Sequence, residues 1–103
     1  MNITYDNKNK LLKIQMTEEV DHCMAEKIKH KADFEIQKYM PKKVLMDFNN
    51  VSFMDSAGIG MILGRYKITK MIGGTLDITN VTPSIKKVLE MSGILKIIKI
   101  VEM

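Results

Sequence analysis

The sequence predicts a single α/β domain, residues 1–103, in which helices alternate with the strands of a mainly parallel β-sheet. Short apolar runs typical of strands are separated by longer segments whose apolar residues recur at helical spacing. The chain has 103 residues, too few for two independent hydrophobic cores. Because strands and helices alternate, right-handed crossovers and parallel pairing are favoured, and the first strand is expected at an antiparallel edge.

The first predicted elements are a hairpin and a long helix. Apolar residues in 3–5 and 11–16 lie on either side of a polar stretch, as in two strands joined by a turn. From Val20 onward the apolar residues recur on one helical face, and Pro41 ends the helix. We expect that face to pack against the sheet.

The middle of the chain alternates between strand and helix. Residues 44–48 are apolar apart from Asp47, which indicates a strand buried on both faces. A second helix is expected from about Ser56 to the Gly73-Gly74 pair, followed by a short strand over 75–79.

The last elements have clear boundary signals. Thr82 followed by Pro83 is typical of a helix start, with a capping hydroxyl and a proline in the first turn. Gly93 is expected to end that third helix. The isoleucine-rich residues 94–101 are expected to form the final strand.

Composition excludes several functional classes. Apolar residues make up 46% and charged residues 27% of the chain, which argues against disorder. Sixteen Lys and Arg against twelve Asp and Glu give a net charge of +4, but the lysines are scattered and lack interleaved aromatic residues. A nucleic-acid partner is therefore not favoured.

Membrane insertion and metal binding are not favoured either. The longest stretch without a polar side chain is residues 57–64, too short to span a bilayer, and no signal-peptide pattern is present. A single cysteine, Cys23, can form neither an internal disulfide nor a metal cage. We therefore expect a small cytoplasmic protein without a cofactor.

Residues 55–60, Asp-Ser-Ala-Gly-Ile-Gly, lie where an extended segment ends and the second helix begins. Asp55 or Ser56 is a natural N-cap, and the glycines permit close packing of the helix against the sheet. Both faces of this helix are apolar, so either a neighbouring helix covers the second face or another protein docks there. In the docking case, Asp55, Gly58, Met61 and Arg65 are the expected contact residues beside Ser56.

Three catalytic or ligand-binding alternatives fit less well. Gly58-x-Gly60 is similar to a dinucleotide loop, with Asp77 as the ribose ligand, but the spacing to the next glycine is wrong. A hydrolase with Ser56 as nucleophile lacks the usual Gly-x-Ser-x-Gly elbow and has only His22 or His30 as its base. Metal binding by His22, Cys23 and His30 lacks the spacing of ligands on one helical face.

Residues 51–70 read Val-Ser-Phe-Met-Asp-Ser-Ala-Gly-Ile-Gly-Met-Ile-Leu-Gly-Arg-Tyr-Lys-Ile-Thr-Lys. This segment resembles the phosphorylation-site segment of bacterial anti-sigma factor antagonists. These proteins carry the STAS domain. The resemblance extends over residues 72–74, 82–88 and 91–94 and is greatest to sporulation members that control a forespore-specific sigma factor.

This resemblance implies a non-enzymatic protein that switches partners. The unphosphorylated antagonist would bind an anti-sigma factor, itself a serine kinase, and so release the sigma factor. Phosphorylation of Ser56 by that kinase would end the interaction, and a phosphatase would restore it. The resemblance also implies that Asp21 lies beside the phosphorylation site. A STAS scaffold subunit of another signalling complex remains an alternative, as does the small hydrolase.

Overall fold

The computed structural model describes residues 1–17 and 19–102, and within them it confirms the mixed α/β sheet with one antiparallel edge. The strands follow the order β1-β2-β3-β4-β5; β1 pairs antiparallel with β2, and every other pair is parallel. The elements are β1 (Asn2–Asp6), β2 (Leu11–Gln15), α1 (His22–Tyr39), β3 (Lys43–Asp47), α2 (Ser56–Met71), β4 (Thr75–Thr79), α3 (Pro83–Ser92) and β5 (Lys99–Val101).

All three helices pack on one face of the sheet. From β2 to β5, each crossover leads to the adjacent strand, always in the same direction across the sheet. Right-handed connections therefore place the successive helices on the same side. Buried residues of the helices, such as Ile28, Ile62 and Leu89, join the strand residues Ile14 and Met46 in one hydrophobic core. The parallel strands β2 to β5 therefore present their carboxyl ends, and the helices their amino ends, at a common edge.

The opposite face of the sheet carries many polar residues. Lys13, Leu45, Asp77 and Lys99 are register partners across β2 to β5. Leu45 is buried but does not belong to the core on the helical side. The expectation that β3 is buried on both faces is confirmed, although on this face the register neighbours of Leu45, Lys13 and Asp77, are charged.

The helix boundaries largely follow the predicted signals. α1 ends at Tyr39, before Met40 in the left-handed conformation (φ 49°) and Pro41. α2 begins at Ser56, as predicted, and Gly73 adopts φ 81° just beyond its end. α1 itself starts at His22 and not at Val20, which pairs with Met54 in a parallel bridge.

The predicted final strand over 94–101 is wrong in its first half. A single 3₁₀ turn occupies Ile94–Lys96, and β5 contains only Lys99–Val101. Ile94 and Ile98 are both buried, and the Ile98 amide donates to the Ile94 carbonyl at 3.0 Å. The Ile97 and Ile98 amides both donate to the Ile94 carbonyl, so this segment closes a turn instead of pairing as a strand.

Asp47 connects the loops at the carboxyl edge of the sheet. Its side chain is almost completely buried at the end of β3, 3.6 Å from the Lys13 ammonium. Its Oδ1 accepts hydrogen bonds from the Asn49 backbone amide (2.9 Å) and from the Asn80 side chain (3.1 Å). One carboxylate thus holds the loop that leads to α2 against the loop that leads to α3.

We predict that Asp47→Ala lowers the free energy of unfolding by about 2–3 kcal/mol, because it removes two hydrogen bonds to a buried charge. Urea denaturation followed by circular dichroism measures this loss. The matched control is Asp77→Ala, which removes a more exposed ion pair with Lys43 (3.6 Å) and should cost less than about 1 kcal/mol. Equal losses in the two variants would contradict a special role for Asp47.

Candidate functional site

The loops that precede α1 and α2 meet in a short parallel bridge between Val20 and Met54. The Val20 amide donates to the Phe53 carbonyl at 2.9 Å, and the Asp55 amide donates to the Val20 carbonyl at 3.2 Å. Val20 and Met54 are both buried in the core. This Val20–Met54 bridge fixes the relative positions of the two helix starts that follow it.

Each helix start next to the bridge is capped by an aspartate. Asp21 Oδ1 accepts from the Met24 amide at 2.8 Å, and Asp55 Oδ1 accepts from the Ala57 amide at 2.9 Å. Both residues directly follow a bridge residue, so the two caps are neighbours across the bridge. The structure thus brings Asp21 to the same edge as the start of α2.

Ser56 is the first residue of α2 and is exposed. Asp55 occupies the capping position, so the capping role that the sequence left open between the two residues belongs to Asp55. The Ser56 hydroxyl is therefore not required to cap its own helix. It lies in solvent beside two carboxylates and the positive end of a helix dipole.

Gly58 is buried and faces the bridge, which corrects its placement on an exposed surface. A Cβ atom at this position would clash with Met54, lying 2.6 Å from its sulfur, and would lie 3.2 Å from Val20. The first turn of α2 can approach the Val20–Met54 bridge only because Gly58 has no side chain. Gly58 therefore supports the site from below by letting α2 pack against the bridge.

Met61 is also buried, with only 5% of its surface exposed, because α1 packs along α2 and covers it. The second apolar face of α2 is therefore divided. α1 covers Met61, whereas Gly60 and Met71 on the same face remain exposed. The expectation of an exposed methionine in the docking surface is wrong for this reason.

Arg65 is 3% exposed, which corrects the expectation of a surface arginine. Its Nε lies 2.7 Å from Asp33 Oδ1 of α1, but the pair is not aligned as a hydrogen bond. Burial lowers the pKa of the guanidinium, and the charges of Asp33 and Glu26 oppose this shift. Arginine remains protonated under such conditions, so the contact is an ion pair between α1 and α2.

Two depressions border these helix starts. The first, of about 590 Å³, lies against the start of α1 and is lined by Thr17, Glu19, Asp21, Cys23, Met24, Lys27, Asn50 and Ser52. The second, of about 410 Å³, runs between α1 and α2 and is lined by His22, Ala25, Glu26, Lys29, Ala57, Gly60, Met61, Gly64 and Arg65. We call the second depression the interhelical groove.

The arrangement does not resemble a hydrolase site. His22 and His30 are both exposed, and His30 pairs with Glu26 at 3.6 Å. Among the described residues, neither histidine forms a hydrogen bond with Ser56, so neither is positioned as a general base for the hydroxyl. Across the same residues, no three His, Cys, Asp or Glu side chains come together as ligands for a metal ion.

Sequence reasoning missed one exposed aromatic residue at this edge. Phe53 is 49% exposed, although its backbone carbonyl is fixed by the hydrogen bond from Val20. It lies two residues before the Asp55 cap. The sequence shows an aromatic residue between Ser52 and Met54, but only the structure shows that its side chain is exposed.

None of the helices in residues 1–17 and 19–102 combines the length and the hydropathy that crossing a membrane requires.

Comparison with known proteins identifies the family. The STAS domain model matches residues 2–102. The anti-sigma F factor antagonist of Paenibacillus polymyxa is 32% identical over 100 residues, covering 97% of this chain and 86% of that protein. The chain therefore belongs to the STAS-domain family, among the bacterial anti-sigma factor antagonists.

Solved structures of SpoIIAA show the same fold. Unphosphorylated SpoIIAA, an anti-sigma factor antagonist, superimposes with a TM-score of 0.76 at 24% identity, over 99% of this chain and 87% of that one. The phosphorylated form of SpoIIAA, a Bacillus cell fate determinant, gives a TM-score of 0.73 at 25% identity, over 99% and 91% of the two chains. SpoIIAA thus exists in both states of phosphorylation.

We predict that Gly58→Ala destabilises the protein by at least about 1 kcal/mol, because the overpacking at the bridge exceeds the gain in helix propensity. Gly60→Ala is the matched control: it lies on the same helix, has no atom within 4 Å of its Cβ position and should stabilise by about 0.5–1 kcal/mol. Thermal unfolding of both variants measures the difference. A stabilised Gly58→Ala variant would show that the contact with the bridge is not tight.

Proposed function

We propose that this protein is an anti-sigma factor antagonist whose binding to an anti-sigma factor is ended by phosphorylation of Ser56. The observation that carries this proposal is the exposed Ser56 at the start of α2, held beside Asp55 and Asp21 by the Val20–Met54 bridge. Its relatives support it, since one is an antagonist by name and another exists in a phosphorylated form. We further propose the cytoplasm as its compartment.

The partner kinase would supply the catalytic machinery. The Ser56 oxygen attacks the γ-phosphorus of ATP, the bond to ADP breaks, and a base on the kinase takes the hydroxyl proton. This chain needs to offer only an accessible hydroxyl on a rigid turn. A phosphatase would hydrolyse the phosphoserine and return the chain to its binding state.

Phosphate on Ser56 should leave the fold intact. It adds about −1.5 to −2 charge at a helix N-terminus, where backbone amides favour anions. The favourable interaction is limited to about 2 kcal/mol, and the nearby carboxylates of Asp21 and Asp55 oppose it. No core side chain has to move, since Ser56 lies outside the core.

The same phosphate should disrupt a protein interface. Burying a dianion without a matching cation costs several kcal/mol, and each 1.4 kcal/mol weakens binding tenfold. The carboxylates of Asp21 and Asp55 already occupy this edge, so the added charge is opposed by like charges there. The binding free energy lost at the interface therefore exceeds any stabilisation of the helix N-terminus by the phosphate.

Incubation with the cognate anti-sigma kinase and ATP should add one phosphate to the chain, as measured by intact mass, and Ser56→Ala should abolish the addition. Ser52→Ala is the matched control, because Ser52 is also exposed at this edge and should not affect the modification. Phosphate that persists in Ser56→Ala would place the modification elsewhere. Ester hydrolysis by the purified chain alone would favour the hydrolase.

Phe53 is the expected apolar anchor of the interface, since exposed aromatic residues beside polar groups often carry much of the binding energy. We predict that Phe53→Ala weakens binding to the anti-sigma factor at least tenfold in calorimetry, with little change in thermal stability. Phe34→Ala is the matched control, because Phe34 is exposed on α1 but lies outside this edge. Equal affinities for Phe53→Ala and the unaltered chain would exclude Phe53 from the interface.

A further inference from the structure

The outer side of α1 presents an exposed strip of three lysines and one phenylalanine. This basic strip consists of Lys27, Lys31, Phe34 and Lys38, whose spacing of four, three and four residues places them on one side of the helix. All four side chains are exposed, and Phe34 has 63% of its surface in solvent. The opposite side of α1 packs into the hydrophobic core. The core therefore fixes α1 with the basic strip facing outward.

The lysines of the basic strip have no carboxylate partners. Among the described residues, none of the three forms an ion pair. Two carboxylates of α1 are engaged elsewhere, since Glu26 pairs with His30 at 3.6 Å and Asp33 pairs with Arg65 at 2.7 Å. Glu35, the remaining carboxylate of the helix, is half-buried. The basic strip therefore keeps three positive charges that no ion pair within these residues balances.

Most of the net charge of the chain lies in the basic strip. Sixteen Lys and Arg against twelve Asp and Glu give +4, so the chain outside the strip carries only +1. These lysines look scattered in the sequence, but the helix gathers three of them on one side. A surface of one sign attracts a surface of the opposite sign and aligns it during association. An acidic partner is therefore the electrostatic complement of the strip.

An acidic helix fits the basic strip better than a nucleic acid or a membrane does. Spacings of four and three residues are those of the contact seam between two packed helices. Three lysines over about 16 Å of helix are few for a nucleic-acid interface, which contacts many phosphates. A membrane would need more apolar surface than one phenylalanine, because the apolar side of α1 is already in the core.

We propose that the basic strip of α1 docks an acidic amphipathic helix of a protein partner. The lysines pair with carboxylates of that helix, and Phe34 packs among its apolar side chains. An aromatic residue at the centre of an interface contributes strongly when it is desolvated, so Phe34 selects acidic surfaces that are also apolar. The strip does not include Ser56, so this proposal does not rest on the proposed function, and either can fail without the other.

A synthetic peptide serves as the probe for this docking. It is a capped, Ala-rich helix of about 18 residues, with Glu at the positions that face the lysines and Leu on either side of Phe34. NMR titration of the ¹⁵N-labelled chain should shift the amide signals of residues 27–38, with a Kd below about 1 mM that rises as salt is added. A control peptide with Gln in place of each Glu should bind at least about tenfold more weakly. Equal shifts with both peptides, or no shift with either, would overturn the proposal.

Variants of the chain test the charged and the aromatic part of the contact. Lys31→Glu and Phe34→Ala should each weaken peptide binding at least about fivefold with little change in thermal unfolding, since both side chains lie outside the core. Lys86→Glu and Met91→Ala are the matched controls, because both residues are exposed on α3, and they should bind as the unaltered chain does. Unchanged binding in Phe34→Ala would overturn the proposal. Tighter binding of the unaltered chain to phosphatidylserine vesicles or to duplex DNA than to the peptide, at the same salt concentration, would also overturn it.

Discussion

The Val20–Met54 bridge is the constraint on which the site depends. Two loops that leave different strands are joined there by backbone hydrogen bonds of 2.9 and 3.2 Å, and each helix starts two residues after its bridge residue. Gly58 lets α2 pack onto the bridge without a side chain in between. Because backbone contacts and a missing Cβ set this geometry, the position of Ser56 does not depend on flexible side chains.

This construction separates the support of the site from its contact surface. Gly58 and Met61 lie below the surface and hold α2 in place, whereas Ser56, Asp21 and Phe53 reach solvent. A change of charge on an exposed group can then alter binding with little effect on the core. Such a division suits a switch in which the modified and unmodified chains share one fold, since only the free energy of association has to change.

The sequence predicted most of the fold and part of the site. Local signals sufficed for the hairpin, for the start of α2 at Ser56 and for the cap at Thr82, since caps and turns depend on neighbouring residues. Val20 was assigned to a helical stripe because one apolar residue fits a helix and a bridge equally well. The burial of Met61 and Arg65 was missed, since it depends on the position of α1, and the pairing of Arg65 with Asp33 joins positions 32 residues apart.

Calorimetric titration of the anti-sigma factor with unphosphorylated and fully phosphorylated chain, together with thermal unfolding of both, separates a change in binding from a change in folding. We expect at least tenfold weaker binding of the phosphorylated chain and closely similar unfolding temperatures. Equal affinities would contradict the switch. Loss of binding accompanied by a large decrease in thermal stability would show that phosphate acts through the fold, and would contradict the separation of the supporting residues from the contact surface.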